Sequence, residues 1–166
     1  MRKFLCFVLI LCCLLPMAAC TEKNAVPENS VTVFYRREKP TYGTSDGIVA
    51  ATYLEMDDQD NNPEAVLNKY LRTIPADGFL SPFPVGLAII SFKLEGLTAK
   101  VILTDCIADL TGMELTISLV CLTQTVMSLT GCQEVIISAY SRQLDGQSFI
   151  TLNRDSYLLL DNSGTP

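Results

Sequence analysis

The apolar positions of the chain change their spacing several times, and each spacing predicts a different element. Residues 31–36 and 48–54 are rich in β-branched and aromatic side chains, which is typical of strands. Apolar residues then recur at helical spacing, and the first stripe comprises Val66, Leu67, Tyr70, Leu71 and Ile74. A second stripe predicts a helix over residues 113–129, and residues 135–140 and 149–152 predict further strands.

Polar residues and glycine mark the ends of both predicted helices. Asn62 is expected to cap the first helix, with Pro63 in its first turn, where a missing N–H breaks no hydrogen bond. Thr111 and Glu114 have the spacing of a capping box at the start of the second helix. Gly131 is a favourable stop for that helix because glycine readily adopts a left-handed conformation.

Residues 88–103 predict a β-hairpin whose register follows from its apolar positions. With Glu95 and Gly96 as a two-residue turn, four apolar pairs fall on one face. The pairs are Leu94 with Leu97, Phe92 with Ala99, Ile90 with Val101, and Ala88 with Leu103. A one-residue slip would mix the apolar and polar faces, so we expect this register.

These elements define the expected fold class. The order is strand, strand, helix, hairpin, helix, strand and a terminal strand, which predicts an α+β fold. We expect a two-layer sandwich, with two helices packed on one face of a mostly antiparallel mixed sheet.

The N-terminal residues predict an export signal. Arg2 and Lys3 precede an unbroken apolar run over residues 4–15. As a helix this run spans about 18 Å, which is short of a hydrocarbon core of about 30 Å. Residues 17–20 resemble the lipobox of bacterial lipoproteins, in which Cys20 would receive a diacylglycerol thioether and become the new N-terminus. The alternative is a plain signal peptide in which Cys20 is incidental.

The expected organisation therefore has four parts. Residues 1–19 form the lipoprotein signal peptide, 20–30 a polar tether, 31–152 a single domain, and 153–166 a C-terminal docking segment and tail. Within that last segment, the apolar residues 157–160 are expected to dock on the domain. The expected location is the extracytoplasmic face of the bacterial cell membrane, held by a diacylglyceryl anchor.

Charge and cysteine content narrow the possible functions. The precursor has a net charge of −6, and cleavage before Cys20 removes Arg2 and Lys3, which leaves −8. An acidic chain without a basic cluster argues against nucleic-acid binding. After the signal, the cysteines are Cys20, Cys106, Cys121 and Cys132. If Cys20 is acylated, three cysteines remain, and an odd number cannot all form disulfides. We therefore expect Cys106, Cys121 and Cys132 to be small buried hydrophobic residues rather than a disulfide framework, with one disulfide among them as the alternative.

Catalytic and metal-binding chemistry find little support in the residue types. The chain contains no histidine, which removes Ser-His and Cys-His catalysis and histidine metal sites. Asp105 and Asp109 lie in one connecting segment and are the candidate carboxylate pair for glycan cleavage, but loop capping is the preferred interpretation. An EF-hand reading from Asp58 places Pro63 at the position that requires glycine. We therefore expect no enzyme, no cofactor and no metal.

The ordered set of motifs resembles the GerMN domain, named from bacterial sporulation and spore germination lipoproteins. A Ser-Pro-x-Pro-x-Gly turn introduces the hairpin at residues 81–86, and an Asp-Leu-Thr-Gly segment at 109–112 follows its second strand. A Thr-Val-Met segment at 125–127 ends the second helix. The similarity covers residues 31–146, with Ile102 standing where the family usually has aspartate.

The resemblance implies a domain like the ring-building motifs of envelope complexes. Its implied role is non-enzymatic: contact with other envelope proteins or self-association, which the family name links to sporulation or spore germination. The alternative is a lipoprotein that binds a peptidoglycan fragment or a small solute. Phe79, Ser81 and Phe83 beside the hairpin are the candidate binding residues, and the competing interpretation is that the two phenylalanines anchor the loop on the core.

Overall fold

The structure is a computed structural model that describes residues 27–40, 47–57 and 62–155. The predicted signal peptide, Cys20 and the apolar residues 157–160 lie outside these ranges. Predictions about lipidation, about the domain boundaries and about docking of the C-terminal segment therefore stay predictions.

The described chain contains seven strands, two α-helices and one 3₁₀ helix. In chain order they are β1 (Ser30–Arg37), β2 (Val49–Glu55), α1 (Pro63–Arg72), β3 (Phe79–Leu80), β4 (Ile89–Glu95), β5 (Thr98–Leu103), the 3₁₀ helix (Asp105–Asp109), α2 (Gly112–Thr130), β6 (Glu134–Ala139) and β7 (Ile150–Asn153). The two-residue β3 and the 3₁₀ helix are additions to the predicted set of elements.

The α+β class is confirmed, and the strands fall into two sheets. The first sheet has the order β2-β1-β3 and the second β4-β5-β6-β7. Every pairing is antiparallel except that of β5 with β6, which is parallel. The 3₁₀ helix and α2 provide the long connection that parallel neighbours require.

Helix α1 begins as predicted and ends earlier than its apolar stripe suggested. The Asn62 side chain accepts a hydrogen bond from the Ala65 N–H at 2.9 Å, and Pro63 occupies the first turn. Four members of the stripe are buried, but Ile74 is 90% exposed and lies beyond the helix. Pro75 explains the difference, because a residue before proline disfavours helical backbone.

The predicted hairpin exists, but its predicted register is wrong. Glu95 pairs with Thr98, so the turn residues are Gly96 and Leu97, and Phe92 lies opposite Val101. A register shift between Ile89 and Ser91 then exchanges the faces of β4, so that Ile89 is buried and Ile90 is 43% exposed. A β-bulge has this effect because one extra residue moves the following side chains to the other face.

Helix α2 contacts strands of both sheets, namely β1 and β2 of the first and β6 and β7 of the second. This placement buries more than the predicted stripe, because polar positions such as Ser118 and Thr123 are also covered. Gly131 ends the helix in the left-handed conformation as expected, with φ of 71°. Thr111 occupies the N-cap position but its side chain forms no capping hydrogen bond, so the predicted capping box is not formed.

The same helix is long and apolar enough to cross a membrane by length and composition alone. Its apolar window is 61% buried inside the domain, where it packs against the strands of both sheets. Within the described residues, this burial accounts for the apolar character of α2 as that of a core helix.

Candidate binding cleft

An open cleft of about 610 Å³ lies between the C-terminal end of α1 and the segment that joins β3 to β4. Its walls are mainly apolar and come from two stretches, residues 71–75 and residues 79–88. Volumes of this size are typical of small-ligand sites, and open apolar clefts also receive peptide side chains.

The structure brings all three predicted binding residues into the wall of this cleft. Ser81 is exposed, and its hydroxyl accepts a long hydrogen bond of 3.4 Å from the Phe83 N–H, which shapes the turn. Phe79 and Phe83 are half-buried and pack against the core. These contacts support the interpretation that the two phenylalanines anchor the loop on the core. Ligand or partner binding by Phe79, Ser81 and Phe83 stays a prediction.

Phe83 is held by an aromatic cluster formed with Tyr35 of β1 and Tyr70 of α1. Its ring centroid lies 5.1 Å from that of Tyr70 and 6.5 Å from that of Tyr35, both in edge-on arrangements. The two tyrosine rings lie 4.9 Å apart. Such contacts are favourable beyond the apolar area that they bury, so they hold Phe83 in its place in the cleft wall.

The two tyrosines also exchange hydrogen bonds with the backbone of each other's element. The Tyr35 hydroxyl donates to the carbonyl of Tyr70 at 3.0 Å, near the end of α1, where helix carbonyls lack helical partners. The Tyr70 hydroxyl donates to the carbonyl of Phe34 in β1. The Phe34 N–H donates to the Thr125 hydroxyl at 3.0 Å. Because β3 pairs only with residues 36 and 37 of β1, these side chains replace a missing strand at Phe34.

The environment of this cluster keeps its hydroxyls protonated. Burial raises the pKa of both Tyr35 and Tyr70, and the neighbouring Cys121 adds to the rise. Burial likewise raises the pKa of the Cys121 thiol. The tyrosines therefore act as hydrogen-bond donors over the physiological pH range, and Cys121 behaves as a small buried hydrophobic residue.

Polar side chains from neighbouring elements fix the far wall of the cleft. The Thr104 hydroxyl donates to the Gly86 carbonyl and accepts from the Ala88 N–H, each at 3.1 Å. The Asn68 side chain of α1 accepts from the Ile89 N–H at 2.9 Å. The loop is thus attached to Thr104, directly after β5, and the start of β4 that follows the loop is attached to α1.

The rim of the cleft is apolar and exposed. Ile74 is 90% exposed, Val85 is 100% exposed and Leu80 is 44% exposed. Among the described residues that line the cleft, Arg72 is the one that carries a charge. Because these three exposed apolar side chains line one cleft, a partner seated there would bury them together, so this rim has the character of a contact surface.

Sequence reasoning missed Arg72, Ile74 and Val85 as members of this site. A usable signal existed for Ile74, because the following proline should have removed it from the helical stripe. No local pattern distinguishes the exposed Val85 from the buried Leu87, since their difference depends on how the loop is attached to Thr104.

Asp105 and Asp109 do not form a free carboxylate pair. Asp105 accepts from the Ser141 hydroxyl at 2.5 Å and from the Ser141 N–H at 2.8 Å, and Asp109 pairs with Arg142 at 2.5 Å. The hydrogen bonds from Ser141, followed by those and the charge of Arg142, lower the pKa of Asp105. Both carboxylates therefore tie the 3₁₀ helix to the loop after β6, as the loop-capping interpretation holds.

The three cysteines of the described chain are free. Cys121 and Cys132 are buried and Cys106 is half-buried, with its sulfur 3.2 Å from the Thr104 hydroxyl. Residues 27–40, 47–57 and 62–155 contain no group of three or more Cys, Asp or Glu side chains placed to hold a metal ion.

Comparisons with known proteins identify the fold. Neither the models of protein families nor the curated proteins match the sequence. Among solved structures, the first GerMN domain of the sporulation protein GerM from Bacillus subtilis aligns with a TM-score of 0.57 at 15% identity, covering 76% of this chain and 98% of that one. The tandem GerMN domains of the same protein align with a TM-score of 0.55 at 13% identity, covering 75% of this chain and 43% of that one.

By its fold and its cleft, the protein is thus a small α+β domain, and its described residues contain no evident catalytic cluster. More specifically, the chain carries a GerMN-like domain, as the resemblance of its motifs implied. The structural neighbours named above are GerMN domains rather than enzymes. At these sequence identities the structural similarity establishes the fold alone. The function is therefore inferred from the cleft.

Proposed function

We propose that this chain is a lipid-anchored envelope protein whose GerMN-like domain binds another envelope protein through the cleft. The exposed apolar rim formed by Ile74, Leu80 and Val85 is the observation that carries this proposal. Burying such side chains against a partner is favourable by about 25 cal/mol per Å² of apolar area. The aromatic cluster beneath the rim keeps it pre-organised, which reduces the entropy lost on binding.

Anchoring rests on the lipobox-like residues 17–20 and on the short apolar run before them. Acylation of Cys20 would place the domain at the extracytoplasmic face of the membrane on a tether of about ten residues. The similarity to a sporulation protein supports a role in sporulation or germination. A non-enzymatic role is consistent with Asp105 and Asp109 being engaged by Ser141 and Arg142.

Co-purification with the whole chain from solubilised envelopes tests the cleft. Val85→Asp places a charge on the rim without altering the core, and Phe149→Asp is its control, since Phe149 is 57% exposed and lies outside the cleft. We expect Val85→Asp to lose the partner protein and Phe149→Asp to retain it. Equal recovery with both variants would contradict the proposal.

The second candidate function is binding of a peptidoglycan fragment or small solute in the same cleft. Its volume is in the range for such ligands, and Arg72 supplies a cation that matches a carboxylate. Thermal unfolding with a muropeptide separates the two. A large increase in melting temperature that Arg72→Gln abolishes would favour the ligand, and no shift at millimolar muropeptide would favour the protein partner.

A further inference from the structure

Strand β2 has an outer edge with which no strand of the described residues pairs, and the backbone groups along it can be assigned. Its register with β1 is continuous from Ser30 opposite Glu55 to Arg36 opposite Val49. The Arg37 N–H donates to the Ile48 carbonyl and the Met56 N–H to the Asn29 carbonyl, each at 2.8 Å. In an antiparallel pair, alternate residues direct their backbone groups to the partner strand.

The even-numbered residues of β2 therefore bond to β1, and the odd-numbered residues direct their N–H and C=O groups away from it. These outward residues are Val49, Ala51, Tyr53 and Glu55. No described strand pairs with this edge. Ala51 and Glu55 are exposed and Tyr53 is 42% exposed, so the described part of the chain leaves this edge accessible to a further strand.

The other outer strands of the described sheets are protected. β3 has only two residues and β7 only four. β4 has seven residues, but it contains the bulge after Ile89 and the charged Lys93, and both features discourage strand addition. β2 has seven residues, an unbroken register and no lysine, arginine or proline. It is thus the outer strand that lacks these protections.

We propose that two copies of this chain associate by antiparallel pairing of their β2 strands about a twofold axis at Thr52. This register places Ala51 opposite Tyr53 of the second copy, and Val49 opposite Glu55 of the second copy. Every outward residue then faces an outward residue, and each such pair exchanges two hydrogen bonds. The two three-stranded sheets become one continuous sheet.

The chemistry of the edge favours a second copy as the occupant. An isologous contact requires a surface that is complementary to itself. In this register the only charged side chain of β2, Glu55, lies opposite Val49 rather than another Glu55, so no like charges meet. A register shifted by two residues would leave one outward residue of each strand unpaired.

Strand pairing of this length buries less than the roughly 1,000 Å² typical of a stable interface, so we expect a weak dimer in dilute solution. Attachment of both copies to one membrane would raise their effective concentration. The test therefore uses the whole chain in the cells that export it, with copper phenanthroline as the oxidant.

Thr52→Cys provides a direct test of the register. Across the proposed axis the two Cα atoms of residue 52 form a non-hydrogen-bonded pair about 4.5 Å apart, a separation that a disulfide can bridge. Ala50→Cys is the matched control, because it lies on the same strand face and is also half-buried, yet the two copies of residue 50 would be about 14 Å apart. We expect a disulfide-linked dimer with Thr52→Cys at least tenfold above Ala50→Cys and above the unmodified chain.

Two further substitutions in the Thr52→Cys background test whether the dimer forms through the outer edge of β2. Ala51→Pro removes an outward N–H without removing a bond to β1, and Tyr53→Lys adds a charge that repels its copy. Both should reduce the dimer several-fold while the circular dichroism and thermal unfolding show a folded domain. Equal crosslinking of residues 50 and 52, no dimer above the unmodified chain, or a Thr52→Cys adduct to a different protein would overturn the proposal. Each of these outcomes leaves the cleft untouched, so failure here is distinguishable from failure of the proposed function.

Discussion

Removing single hydroxyls from the Tyr35–Tyr70 pair tests whether the hydrogen bonds described above stabilise the cluster that supports Phe83 in the cleft wall. Tyr35→Phe leaves the Tyr70 carbonyl without the 3.0 Å bond from Tyr35, and Tyr70→Phe leaves the Phe34 carbonyl without its donor. Both rings are almost fully buried, so the substitutions preserve packing and remove only the polar contact.

The expected magnitude follows from the burial of these groups. A buried acceptor left unsatisfied costs about 1–3 kcal/mol, which is more than the net value of about 1 kcal/mol for a typical hydrogen bond. For a domain of this size each kcal/mol lowers the melting temperature by roughly 4 °C. We therefore expect each variant to melt about 4–12 °C below the unmodified protein.

The assays are thermal unfolding and urea unfolding, both followed by circular dichroism, with Tyr140→Phe as the control. Tyr140 is 70% exposed, so loss of its hydroxyl should change the free energy of unfolding by less than about 0.5 kcal/mol. Because the two buried hydroxyls share one network, the double variant should lose less than the sum of the single losses. If Tyr35→Phe and Tyr70→Phe both behave like Tyr140→Phe, the hydrogen bonds do not stabilise the cleft.

Three further predictions concern other parts of the domain. Gly131→Ala should lower the free energy of unfolding by about 1 kcal/mol because φ is 71° there, and Gly131→Asn by less, as measured by the urea midpoint. Because folding lowers the pKa of Asp105, its contribution to stability is complete above the unfolded pKa of 3.8 and is lost as the pH falls through the folded pKa. Asp105→Asn should therefore flatten the decline of the melting temperature below pH 4. Under native conditions a maleimide should modify the half-buried Cys106 and spare Cys121, whose burial raises the thiol pKa, with peptide mass spectrometry as the readout and uniform labelling in denaturant as the control.

The helices and most strands were predictable because their signals are local. Asn62 caps α1 through its own side chain, and Gly131 ends α2 through its own backbone, so neither depends on distant residues. The hairpin turn was also within reach, since glycine at the first position of a two-residue turn favours Gly96-Leu97 over Glu95-Gly96. The bulge near Ile90 has no comparable signal in the sequence, and it decides which residues of β4 enter the core.

The candidate site was only partly predictable for the same reason. Phe79, Ser81 and Phe83 were selected because they flank the hairpin, and the structure places them in one cleft wall. The position of Phe83 in that wall depends on its contacts with Tyr35 and Tyr70. These tyrosines lie far from Phe83 in the sequence, and the sequence indicated only that one belongs to a strand and the other to a helix. The division into two sheets around α2 likewise results from long-range pairing that local periodicity does not encode.

Site-specific photo-crosslinking in the native envelope tests the central claim most directly. A photoreactive amino acid replaces Val85 on the rim of the cleft, or Phe149 as an exposed position outside it, in the full chain. A protein partner in the cleft predicts a discrete protein adduct of defined mass from position 85 and none of that mass from position 149. The same adducts from both positions, or no protein adduct from position 85 in growing or sporulating cells, would contradict the account.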